Sequence, residues 1–115
     1  NFYKLARIRK AVEIFSKKYS YFKCDGEIQF DAAINPAISK SKLTNSPIKG
    51  NANVFIFPDL NSGNIAYKIT QYLGNYSAWG PLLMGLSKPV HDLSRGCTVD
   101  DIICISSIAC LKNNN

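Results

Sequence analysis

The stretch ANVFIFPDL, Ala52 to Leu60, decides how the fold is read. It is a compact apolar run closed by Pro58, the pattern of a buried strand rather than a half-exposed one. Working outward from it, NSGN opens a helix expected over about Gly63 to Leu73, with Ile65, Ile69, Tyr72 and Leu73 on one side. WGPLLMGLSKPVHDL, Trp79 to Leu93, then holds a second apolar run at Leu82 to Leu86 and a second loop. A last helix is expected from about Val99 to Leu111, with Ile102, Ile103, Ser106 and Cys110 spaced to face a core. Strand, loop, helix, repeated once, is an α/β rhythm, and it predicts a mainly parallel sheet with flanking helices.

On the other side of the deciding stretch, Leu5, Ile8, Val12, Phe15 and Tyr19 recur at threes and fours. They predict an amphipathic helix from Phe2 to about Lys18, with its basic residues largely opposite. FKCDGEIQFDAAI offers a turn at Asp25-Gly26 and an alternation around Ile28 and Phe30, read as a short strand or extended segment. NPAISKSKLTNSPIKG, Asn35 to Gly50, reads as a long surface loop with a helical turn around Ala37 to Ser41. The closing asparagines read as a frayed tail.

The 115 residues suit one domain, and 46% hydrophobic content is enough for a core. No run of about 18 apolar residues is present to span a bilayer, and Lys4, Arg7, Arg9 and Lys10 interrupt any leader-like apolar stretch, so a cytoplasmic location without membrane contact is expected. The first residue is Asn, as in a fragment or a processed piece. The net charge of +6 resides entirely in residues 1–23. Charge confined to one helix reads as a solvated face, so a nucleic-acid partner is not expected, although contact with nucleic acid or acidic lipid is the competing reading. Cys24, Cys97, Cys104 and Cys110 have no CxxC spacing, and His91 is the sole histidine. No metal site is expected, and the cysteines read as free thiols of a reducing compartment.

The chemistry concentrates in KPVHDLSRGCTVDDI, Lys88 to Ile102, where a loop after a predicted strand turns into a helix. Backbone N–H groups at a helix start attract anions, a guanidinium grips phosphate with two prongs, and a hydroxyl adds one further bond. Ser94, Arg95 and Gly96 therefore read as an oxyanion or phosphate pocket. Each has an ordinary structural reading too. Thr98 followed by Asp101 matches a capping box. Ser94 could cap a turn, Gly96 could supply a positive φ, and Arg95 could pair at the surface.

Several long motifs in order, DGEIQFDAAI, NSPIKGNANVFIFPDLNSGN, GPLLMGLSKPVHDLSRG and the closing DDI helix, resemble the C-terminal part of the phosphate acetyltransferases, in the phosphate acetyl/butyryltransferase family. The resemblance covers nearly the whole chain from about Ala11. It implies part of a two-domain isocitrate-dehydrogenase-like α/β fold, with residues 1–79 ending the second, inserted domain and 80–115 returning to the first. It also implies acetyl transfer between acetyl phosphate and coenzyme A, which enter as substrates with phosphate, and no permanently bound cofactor. By this likeness Asp101 takes the thiol proton, Arg95 holds the phosphoryl group, and Ser94 stabilises the reacting acyl centre. The rest of the family sequence, an N-terminal half with further cleft arginines, would be a required partner, and family members commonly form homodimers.

The chain departs from its relatives at three positions. Tyr72 and Asn51 stand where a basic residue is common, and His91 where asparagine is common. Phosphate butyryltransferase and a noncatalytic regulatory module like the tail domain of some malic enzymes are the alternatives. A chain standing alone is expected to expose Ile102, Ile103 and Leu111 and to associate or lose stability.

Overall fold

The computed structural model describes residues 2–113; Asn1, Asn114 and Asn115, and with them most of the tail expected to fray, lie outside the described residues. In chain order it forms α1 (Phe2–Lys18), α2 (Phe30–Ile34), α3 (Pro36–Lys42), α4 (Leu60–Tyr72) and α5 (Val99–Asn113). Among the described residues there is no strand, and the one bridge is an isolated antiparallel pairing of Leu82 with His91. This corrects the expected α/β class: the mainly parallel sheet, and the isocitrate-dehydrogenase-like arrangement built on it, give way to helices joined by irregular connections.

The reason is that a strand exists only by pairing, and an apolar run carries no information about who its neighbour is. Residues 51–57 have no regular secondary structure, and no segment pairs with them in a ladder. Ala52 donates its N–H to the carbonyl of Ala33 in α2 instead, at 2.9 Å. Val54 and Ile56, expected inside, are 72% and 90% exposed. The second run behaves likewise, with Leu83, Met84 and Leu86 exposed.

Two compact units divide between Gly63 and Asn64, within α4. In the first unit, α1 forms where the 3.6-residue stripe predicted it. Ile8 and Val12 are half-buried and approach Gly26 so closely that a Cβ there would stand 3.1 Å from Val12 Cγ2. Arg9 pairs with Glu27, and Glu13 accepts from both Lys10 and Lys17 one helical turn away on either side. The anticipated helical turn in the Asn35–Gly50 stretch is a full α3. Asn35 caps it through its side chain, accepting from the N–H groups of Ala37 and Ile38, and Pro36 occupies the first turn, where its missing N–H costs nothing. Ala32, Ala33 and Ser39 are buried where α2 and α3 meet.

α4, most of which belongs to the second unit, begins before the expected Gly63 because Asp59 caps it, its Oδ1 accepting the N–H of Ser62. Both long helices of this unit bury a different face from the one expected. Ile65, Ile69 and Leu73 are exposed while Ala66, Tyr67, Lys68 and Gln71 are half-buried. On α5, Ile105 is buried, flanked by half-buried Asp101, Cys104 and Ile108, whereas Ile102, Ile103 and Leu111 lie open at 44%, 57% and 70%. The last three match the exposure expected of a chain standing alone.

Among the described residues the buried apolar side chains are Ala32, Ala33 and Ile105. Burying one isoleucine contributes about 1.5–3 kcal/mol, and ordering each residue's backbone costs about 1–2 kcal/mol. With so few side chains buried, the open apolar ones need cover.

Candidate functional site

The loop that ends in α5 is organised by its own backbone. Cys97 donates its N–H to the carbonyl of Ser94 at 2.9 Å, closing a turn, and the N–H of Gly96 reaches Ser94 Oγ at 3.3 Å. Because Ser94 Oγ is engaged as an acceptor, its hydroxyl proton remains to be donated elsewhere. Gly96 lies in this turn without a positive φ, and a Cβ built on it would meet nothing within 4 Å, so its reading as the supplier of a positive φ is not the one realised. Upstream, His91 Nδ1 accepts the N–H of Leu83 at 3.3 Å, tying the loop to the Leu82 bridge.

Thr98 and Asp101 form the capping box that their spacing predicted. Asp101 Oδ2 accepts the N–H and the hydroxyl of Thr98, both at 2.9 Å, and the N–H of Asp101 returns to Thr98 Oγ1 at 3.2 Å. The backbone donor first, and the hydroxyl second, hold the Asp101 carboxyl below the ordinary carboxylate range. None of these bonds involves Oδ1.

Ser94, Gly96, Cys97 and Asp101 share a cavity of ≈ 20 Å³ with Tyr67, Lys68, Gln71 and Tyr72 of α4. The fold thus brings three of the four expected site residues together. Arg95 is exposed at the tip of the turn and is not among the lining residues. Sequence reading missed Tyr67, Lys68 and Gln71, having assigned the buried face of α4 to its isoleucines. Their signal was the run of polar-capable side chains at 67, 68, 71 and 72, which a helix gathers on one side.

Lys68 and Asp101 are the charged groups of the lining. The Lys68 ammonium lies 4.6 Å from the Tyr67 ring centroid and 5.7 Å from that of Tyr72, within cation–π range. Gln71 Oε1 is buried with no hydrogen-bond partner. The arrangement therefore offers a cation, a carboxylate oxygen and a hydroxyl proton around one small space. At this volume the space holds about one water molecule, so a larger ligand requires it to open. Among the described residues no group of three or more metal-ligating side chains is assembled, no helix is long and apolar enough to cross a membrane, and all four cysteines are free thiols.

Comparison with known proteins gives a consistent set of relatives. Residues 3–110 match the family described as phosphate acetyl/butaryl transferase. The chain is 47% identical over 106 residues to the phosphate acetyltransferase of Acetivibrio thermocellus, covering 92% of this chain and 32% of the relative. It is 46% identical over 110 residues to that of Treponema pallidum, covering 96% and 33%. With that of Bacillus subtilis it shares 52% over 96 residues, covering 84% and 30%. The chain thus spans about a third of the length of the curated relatives it matches.

Proposed function

Because the chain belongs to the phosphate acetyl/butaryl transferase family, we propose that it supplies one wall of a site where an acetyl group passes between acetyl phosphate and coenzyme A. The observation that carries this reading is the convergence of Ser94, Asp101 and Lys68 on one cavity at the start of α5. Acetyl phosphate and coenzyme A are both polyanions, and Lys68 gives the cavity a cation for them. Arg95, one residue from Ser94 and open to solvent, is free to close on a phosphoryl group by two parallel N–H bonds.

The chemistry follows from these groups. A thiol with pKa near 8.5 is mostly protonated at neutral pH, so its proton must be accepted as it attacks. In the proposed step Asp101 takes that proton at Oδ1, and the thiol sulfur bonds to the acetyl carbonyl carbon. The oxygen of the resulting tetrahedral centre takes up the negative charge, and the Ser94 hydroxyl donates to it. Collapse breaks the carbon–oxygen bond to the phosphoryl group, which leaves as phosphate held by Arg95, and the products are the thioester and phosphate. A carboxylate with its pKa depressed is a weak base for a thiol, so Asp101 acts as much by placing the thiol as by holding its proton.

The remaining walls come from the rest of a family-length polypeptide, in the reading of the N-terminal part as partner. What supports this is the open apolar surface of both units, Val54 and Ile56 in the first and Ile102, Ile103 and Leu111 in the second. A homodimer of the assembled enzyme and a cytoplasmic setting belong to the same proposal; the free thiols suit a reducing compartment.

The test is thioester formation from coenzyme A and either acetyl or butyryl phosphate, by the chain reconstituted with the preceding two-thirds of a curated relative. Acetyl phosphate is expected to be the better substrate, with Arg95→Ala raising its KM. Preference for butyryl phosphate would reassign the acyl group, and no dependence on Arg95 would remove the phosphate grip.

A further inference from the structure

Resting on that reading, we propose that Thr98 is a positioning residue for the reaction: it fixes the Asp101 carboxylate by one oxygen so that the other, Oδ1, is the atom that receives the proton. Thr98 is not among the residues lining the cavity, so it acts through Asp101.

The geometry assigns the two oxygens different work. The N–H and hydroxyl of Thr98 both end on Oδ2 at 2.9 Å. With two donors already aimed at it, Oδ2 has no room for a further proton without losing one of them, whereas Oδ1 takes part in none of the Thr98 bonds. Two bonds from one residue also fix the plane of the carboxylate, and the N–H of Asp101 on Thr98 Oγ1 at 3.2 Å closes the loop of bonds in the other direction. The hydroxyl is therefore an acceptor from the backbone and a donor to the carboxylate at once, a pairing that serine can also make and valine cannot. When Oδ1 is protonated, Oδ2 keeps both donors as a carbonyl-like acceptor, so the proton can be taken and returned without rearranging the helix start. The depressed pKa of Asp101, caused by these same two donors, agrees with this arrangement.

A cap with a purely structural role would alter helix stability and nothing else. The deciding experiment compares wild type with Thr98→Val and Thr98→Ser in two ways: a carbon-13 titration of the Asp101 carboxyl, and the acid limb of kcat/KM for thioester formation by the reconstituted enzyme. Valine removes the hydroxyl donor, so the titration and the acid limb are both expected to move to higher pH, with serine restoring them. If Thr98→Val fails to fold, Thr98→Gly, which a helix N-cap tolerates and which keeps the backbone N–H but has no hydroxyl proton to give, makes the same comparison. An unmoved titration and an unmoved acid limb, with a lower melting temperature alone, would overturn the proposal. Reconstituted wild type that forms no thioester counts against the function reading, while the titration still decides whether Thr98 governs Asp101.

Discussion

Gly50 packs on Asn35 so tightly that a Cβ added to it would stand 2.4 Å from the Asn35 carbonyl carbon, and its φ of +75° lies in the region that side chains disfavour. Only a residue without a Cβ allows the loop after α3 to approach the junction of α2 and α3 this closely. Gly50→Ala is expected to destabilise the first unit by more than the about 1–3 kcal/mol that the backbone conformation alone costs, since backbone atoms cannot step aside. Gly96→Ala, where a Cβ meets nothing, is the control and should shift stability by less than about 0.5 kcal/mol. Urea midpoints of the two variants measure the difference; equal midpoints would contradict this packing.

Acid should loosen the same unit. Lys42, which bonds Asp31 Oδ2, is the main cause holding that carboxyl below its ordinary range, and Lys10 followed by Lys17 does the same for Glu13. Folded values lower than unfolded ones mean that the stabilisation is present above the unfolded pKa, about 4, and is lost as the pH falls through the folded values. Helicity by circular dichroism is expected to hold as the pH approaches 4 from above and to fall below it. Lys42→Ala should move the Asp31 titration upward; an Asp31 carboxyl that titrates identically with and without Lys42 would refute the assignment.

Exposed apolar side chains should make the isolated chain self-associate. Ile102, Ile103 and Leu111 line a shallow open groove along α5 with Ser106, Ser107 and Cys110. Sedimentation of the purified chain is expected to show concentration-dependent association that Ile103→Lys weakens. A monomer with a cooperative melt would mean that the small interior suffices after all.

How legible this was in the sequence depended on the range of the signal. The long helices, and the starts of α1 and α5, were readable because periodicity and caps are local: Thr98 and Asp101 sit three residues apart and find each other without help from the rest of the chain. The two expected strands, in Ala52–Leu60 and at Leu82–Leu86, do not form, because apolar residues announce a need for cover and say nothing of what provides it. The face of α4 shows the same limit. Ile65 and Ile69 looked like core, yet the side facing the site loop carries Lys68 and Gln71, and only the placement of that loop decides which side is buried. The site was half visible for this reason: Ser94, Gly96 and Asp101 belong to one contiguous motif, and the α4 residues that complete their cavity do not.

The most direct measurement is made on a chimera in which this chain replaces the matching third of the Bacillus subtilis relative. The account predicts that the chimera forms thioester from acetyl phosphate and coenzyme A, and that Asp101→Asn lowers kcat by about 100-fold or more with the fold intact. A folded chimera with no turnover, or one whose rate ignores Asp101, would contradict the claim that this chain carries a wall of the acetyl-transfer site.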